Sequence, residues 1–83
     1  MKIIVYSKPN CMQCEFTKRV LREANIDFEV RDVSVSEKAL EEVRKLNFKA
    51  LPVVNAEGHK AFTGFRPDLL EKIVQSALSV SVG

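Results

Sequence analysis

Ile3-Ile4-Val5-Tyr6-Ser7-Lys8-Pro9-Asn10-Cys11-Met12-Gln13-Cys14 is the stretch that decides the fold. It joins a short apolar run to a loop, and the loop to two cysteines that open a segment with helical spacing. Lys2 to Tyr6 reads as a strand, apolar on both faces and therefore central in a sheet. Pro9 and Asn10 are loop residues. From Cys11 to about Ala24, the apolar residues Phe16, Val20, Leu21 and Ala24 recur at helical spacing, and Asn25 is a candidate left-handed stop. Cys11 and Cys14 are the only cysteines in the chain. At that spacing they can close a disulfide with little backbone movement, and the positive end of the helix favours thiolate. A C-x-x-C after a strand, with no other cysteine present, reads as a redox pair. Two blander uses stay open on the residues alone. A structural disulfide across so short a loop removes little chain entropy. Structural zinc takes about four ligands, and beyond this pair the chain offers only the distant His59, so carboxylates or a second chain would have to complete a site.

Asp27–Asp32 holds the alternating Phe28-Glu29-Val30-Arg31, a half-buried strand. A helix lies between it and the first strand, so the crossover is right-handed and the two strands run parallel. Ser34-Val35-Ser36-Glu37 resembles a capping box, with Ser34 or Ser36 as N-cap. The second helix runs to about Leu46, burying Leu40, Val43 and Leu46, and Asn47 is a second candidate stop. Pro52–Asn55 is a short strand, Ala56-Glu57-Gly58 a turn, and His59–Thr63 the returning strand of a hairpin. Gly64-Phe65-Arg66 is a loop, and Pro67 takes a favoured first helical position. Leu69, Leu70, Ile73, Val74, Ala77 and Leu78 form the stripe of the last helix, followed by a frayed tail at Ser79–Gly83. The order β-α-β-α-β-β-α defines an α/β chain of thioredoxin-like architecture, a four-stranded mixed sheet flanked by three helices.

At 83 residues the chain makes one domain, 1–83, with a thin core. Its composition, 46% hydrophobic and 29% charged, is that of an ordinary globule. A net charge of +2 with no long basic run argues against nucleic acid. No segment approaches the ~18–20 apolar residues of a membrane span, and the N-terminal apolar run is too short for a signal peptide. A secreted domain of this size would often carry several disulfides. One C-x-x-C and no targeting segment point to the cytoplasm, where the pair would cycle, and the chain is expected to be a monomer.

Three stretches carry a resemblance: Cys11-Met12-Gln13-Cys14, Leu51-Pro52-Val53-Val54 and Gly64-Phe65-Arg66-Pro67-Asp68. Over nearly its full length the chain resembles the glutaredoxin branch of thioredoxin-like proteins, and within it the NrdH-redoxins, for which G-F-R-P-D is the most specific of the three. The resemblance implies a small disulfide reductase, glutaredoxin-like in sequence and thioredoxin-like in use. Such a protein binds no cofactor or metal and works through its own redox-active disulfide, here Cys11–Cys14. It passes electrons to the large subunit of a class Ib ribonucleotide reductase, or to another disulfide-containing protein. Thioredoxin reductase restores it at the expense of NADPH. The alternatives are a glutathione-dependent glutaredoxin or general disulfide reductase, and a module holding zinc or an iron–sulfur cluster between two chains through Cys11. Phe62-Thr63 stands where the family usually has Trp-Ser, which keeps aromatic and hydroxyl character but loses an indole N–H. Met12 stands where the family often has Val.

Cys11, at the helix start, is the expected attacking thiol, and Cys14, one turn deeper and more buried, the expected resolving thiol. Lys8 either adds positive potential or is an ordinary solvated lysine. Met12 and Gln13 between the cysteines tune the potential. By resemblance the Leu51–Pro52 bond is cis and faces the pair, so that the Leu51 backbone could receive an extended substrate strand. The alternative is an edge-strand proline. Gly64 permits close backbone approach. Phe65 is either an exposed docking face or a cap on the core. Arg66 binds a partner carboxylate or pairs with Asp68. Pro67 has no N–H to offer where glutathione-using relatives place helix-start donors, which points to weak glutathione binding. His59 is a surface residue. Tyr6 packs close to the active loop and takes no part in the chemistry.

Overall fold

All five residues of the first strand, β1 (Ile3–Ser7), are buried, as their apolar character on both faces requires. The computed structural model describes residues 1–80. After β1 come α1 (Met12–Glu23), β2 (Glu29–Asp32), α2 (Glu37–Lys45), β3 (Val53–Ala56), β4 (Phe62–Thr63) and α3 (Pro67–Val80). The sheet order is β2-β1-β3-β4. β1 and β2 run parallel, while the β1–β3 and β3–β4 pairs are antiparallel. This is the thioredoxin-like order expected from the sequence.

Alternation along β1 divides the core. Ile3 and Val5 face Leu21 of α1 and Leu70, Ile73 and Val74 of α3. Ile4 and Tyr6 face Ala39 and Val43 of α2. Helices therefore cover both faces of the sheet, with α1 and α3 together on one. Asn25 and Asn47 take positive φ, at 57° and 66°. Behind each, a backbone N–H reaches back five residues, Ile26 to the Leu21 carbonyl and Phe48 to the Val43 carbonyl. Both helices thus end in the same left-handed motif, at the asparagines that marked their ends.

Of the two candidate caps, Ser36 is the N-cap of α2, its Oγ accepting from the Ala39 N–H at 3.1 Å. Ser34 instead donates from both its N–H and its hydroxyl to Asp32 Oδ1, at 2.8 and 2.6 Å. Several boundaries differ from the sequence reading. β2 begins at Glu29 rather than Asp27, and Val30 remains 43% exposed because the strand lies at the sheet edge. The expected strand over His59–Thr63 shrinks to Phe62–Thr63, since only these residues pair with β3. In α2, Ala39 and Val43 are the buried positions, with Leu40 and Leu46 only partly covered. α3 continues to Val80, into the segment read as frayed, and residues 81–83 lie outside the described residues.

Tyr6 packs on the α2 face, away from α1 and its cysteines. Its hydroxyl donates to Glu42 Oε1 at 3.0 Å, and Arg31 Nη1 donates to the same oxygen at 2.6 Å. Arg31 Nε also pairs with Glu29. Burial, followed by the adjacent Glu42, pushes the Tyr6 phenol above its ordinary value, while Arg31 holds the Glu42 carboxyl below its own. This cluster ties β1 and β2 to α2.

Candidate active site

Cys11 is the N-cap of α1, with extended backbone angles of φ −113° and ψ 104°. Its Sγ accepts a hydrogen bond from the Cys14 N–H at 3.2 Å. An N-cap normally offers side-chain oxygen to a free N–H of the first turn; here sulfur occupies that place. The same N–H that caps a helix start also stabilises negative charge on sulfur once the thiolate forms. Cys11 is partly exposed and Cys14 wholly buried. The two form a disulfide, with Cα atoms 5.2 Å apart. Buried Thr17 donates from Oγ1 to the Gln13 carbonyl at 2.9 Å, which braces the first turn from below. Lys8, Pro9 and Asn10 lead into the site from solvent, and Met12 is 67% exposed between the cysteines.

Side chains and backbone then join the three motifs read from the sequence. Gln13 Oε1 accepts from the Phe65 N–H at 3.0 Å. The Gly64 N–H donates to the Pro52 carbonyl at 2.8 Å. Thr63 Oγ1 donates to the Ala50 carbonyl at 2.6 Å and contacts the Pro52 carbonyl at 3.2 Å. The Leu51–Pro52 peptide is cis. Gly64 has φ +86°, so glycine is required there by its backbone angle; a Cβ would meet only Gln13 Oε1, at an ordinary 3.6 Å. The C-x-x-C turn, the Gly64 loop and the cis-proline loop are thus one hydrogen-bonded unit.

Of the two expected descriptions of Phe65, its packing fits the cap on the core, and the residue is partly buried. It packs on the α1–α3 core cluster, and its ring lies 5.7 Å from that of Phe16 at 53°. Phe16, read as a core position, is 40% exposed and forms the outer half of this aromatic pair. Arg66 donates from Nε and Nη2 to the two carboxylate oxygens of Asp68, at 3.1 and 2.9 Å. Arg66 holds the Asp68 carboxyl below its usual range, with further support from the backbone N–H groups of Leu69 and of Asp68 itself. Pro67 is the first residue of α3. His59 is half-buried and lies in the β3–β4 connection. Among the described residues, no group of three or more His, Cys, Asp or Glu side chains is placed to hold a metal ion. No helix among them is long and apolar enough to cross a membrane.

The sequence reading missed the roles of Gln13 and Thr63 in this unit. Gln13 bridges 52 positions of chain, a contact that no local pattern announces. For Thr63 a signal existed, a hydroxyl residue beside the glycine opposite a proline loop. Thr63→Val should lower stability by about 0.5–1.5 kcal/mol, because the hydroxyl's ties to the Ala50 and Pro52 carbonyls are lost. Thr63→Ser should retain most of it. Urea unfolding of the two variants is the check, and equal midpoints would disprove the tie.

A cysteine pair that opens a helix on a four-stranded mixed sheet and is tied to a cis-proline loop marks the thioredoxin-like thiol–disulfide oxidoreductases, and the chain is one of them. The glutaredoxin family model matches residues 3–60. The glutaredoxin-like protein NrdH of Escherichia coli is 38% identical over 73 residues, 88% of this chain and 89% of that protein. Its namesake in Lactococcus lactis is 39% identical over 71 residues, 86% of this chain and 97% of that one. The solved structure of the NrdH-redoxin from Escherichia coli, a protein described by its thioredoxin-like activity profile, superposes with a TM-score of 0.82 at 37% identity, covering 88% of this chain and 95% of that one. The chain belongs to the glutaredoxin family and is similar throughout these spans to its NrdH members.

Proposed function

We propose that the chain is a single-domain, monomeric cytoplasmic electron donor to a class Ib ribonucleotide reductase, restored by thioredoxin reductase at the expense of NADPH. Its similarity to NrdH proteins supports this, as does the thioredoxin-like activity profile of the solved relative. The observation that carries the choice of reductant is the start of α3. Pro67 has no N–H, and the Phe65 N–H is already bound by Gln13. A γ-glutamyl carboxylate would find these helix-start donors absent or occupied.

In the reducing direction, the Cys11 thiolate attacks one sulfur of a substrate disulfide. A mixed disulfide forms, and the other substrate sulfur leaves as thiolate and takes a proton. Cys14, deprotonated, then attacks Cys11 Sγ, releases the second substrate thiol and closes the Cys11–Cys14 disulfide. Two electrons pass to the substrate, and thioredoxin reductase returns two from NADPH. Met12, Gln13, Leu51 and Gly64–Asp68 form the partner-binding surface for this exchange, with Pro52 fully buried beneath it. The test is deoxyribonucleotide formation by a class Ib ribonucleotide reductase supplied with NADPH, thioredoxin reductase and the chain. Formation should depend on the chain. No formation, from a chain that still reduces small disulfides, would remove ribonucleotide reductase as the partner.

A further inference from the structure

β4 is the last strand of the sheet, and among the described residues no further strand pairs with its outer edge. The Gly64 N–H bonds the Pro52 carbonyl, and Val53 and Val54 stand opposite Thr63 and Phe62. Pairs in an antiparallel ladder alternate between bonded and non-bonded. Phe62 therefore bonds β3, while the backbone N–H and C=O of Thr63, and the C=O of Ala61, which shares a peptide plane with the inward Phe62 N–H, point away from the sheet. A groove of about 470 Å³ lies beyond that edge. Phe48 flanks it from the α2 side of the sheet, and Leu69 and Ile73 of α3 flank it from the other. Apolar walls above and below an open strand edge are the setting in which an added strand buries alternate side chains.

The charged lining is of one sign. Lys60, Arg66 and Lys72 line the groove, and no carboxylate does. Arg66 is engaged by Asp68, so the exposed Lys60 and Lys72 supply the uncompensated charge. A second copy paired edge to edge about a two-fold axis would set these lysines against their own counterparts. An acidic segment meets them with opposite charge. The groove also adjoins the active-site unit, since Thr63 binds the cis-proline loop and Arg66 follows the loop that binds Gln13.

We propose that the open edge of β4 and the lysine-rimmed groove beyond it take an extended acidic segment, with apolar residues at alternate positions, from the protein whose disulfide is reduced. The owner of the segment rests on the proposed function; the chemistry of the groove does not. The segment adds to the sheet as a fifth strand, held by the outward groups of Ala61 and Thr63. Its alternate apolar side chains fill the walls, and its carboxylates face Lys60 and Lys72.

The probe is a short, fluorescently labelled peptide of alternating glutamate and leucine without cysteine, so that binding is read independently of thiol exchange. Fluorescence anisotropy should report binding that weakens with added salt. Lys60→Glu combined with Lys72→Glu should weaken it by about tenfold, since two exposed charge contacts are reversed. The same double variant should reduce a small aromatic disulfide at the unaltered rate. Equal binding by a lysine–leucine peptide, or indifference to the double variant, would overturn the proposal. So would tighter binding of a single-stranded oligonucleotide. Self-association of the chain that the double variant abolishes would name a second copy as the occupant and overturn it too. Failure to reduce the small disulfide would count against the redox function, leaving the peptide result to stand by itself.

Discussion

Cys11→Ser should abolish dithiol turnover, with a loss of about 10³-fold or more, because no second sulfur occupies the helix start. Cys14 cannot replace it. Cys14 is wholly buried in the first turn of α1, whereas Cys11 is partly exposed at the N-cap position. Only a thiolate that an incoming disulfide can reach is a competent nucleophile. Cys14→Ser should give a different failure. The first attack proceeds, the resolving attack has no sulfur, and the mixed disulfide with a protein substrate accumulates. Mass spectrometry of the Cys14→Ser reaction should find chain and substrate joined through Cys11. Full turnover by Cys14→Ser with a protein disulfide would replace this account with a monothiol mechanism.

The second large effect is on folding. Leu21 of α1 has no exposed surface and packs among Val5, Leu70 and Ile73. It therefore fastens the helix that carries both cysteines to the sheet and to α3. Leu21→Ala removes buried methyl groups and leaves a cavity, at a cost of about 2–5 kcal/mol. A domain of this length has roughly 4–12 kcal/mol in total, from about 0.05–0.15 kcal/mol per residue. The variant should unfold at markedly lower urea concentration, and a fraction of it should be unfolded at growth temperature. Phe16→Ala, a larger truncation at a 40% exposed site on the same helix, should cost less than Leu21→Ala. The reverse order, read from urea midpoints, would mean that the Phe16–Phe65 pair rather than Leu21 anchors α1.

Much of this fold was legible because its signals are local. β1 is apolar at consecutive positions, Asn25 and Asn47 tolerate the left-handed conformation, and Pro67 suits a first turn. The cis Leu51–Pro52 bond and the grouping of three motifs came from resemblance, and the geometry agrees. What was illegible depends on distant partners. β3 runs on to Ala56, but the chain returning from the turn closed by the His59 N–H on the Ala56 carbonyl joins the ladder only at Phe62, so His59–Ala61 has a strand-like pattern without a ladder. Val30 alternates correctly yet stays exposed, because β2 is an edge. Tyr6 lies near the active loop in sequence, but the alternation of β1 turns it to the opposite face, toward Glu42. Gln13 has no local reason to seek Phe65.

The central claim is that the Cys11–Cys14 dithiol is fed by thioredoxin reductase and not by glutathione. The most direct measurement is NADPH consumption with a disulfide substrate, in parallel reactions containing either thioredoxin reductase or glutathione with glutathione reductase. Rapid consumption with thioredoxin reductase and little with glutathione is the predicted result. Consumption with glutathione alone would contradict it, and would mean that the α3 start, with Pro67 and the occupied Phe65 N–H, does not bar the tripeptide.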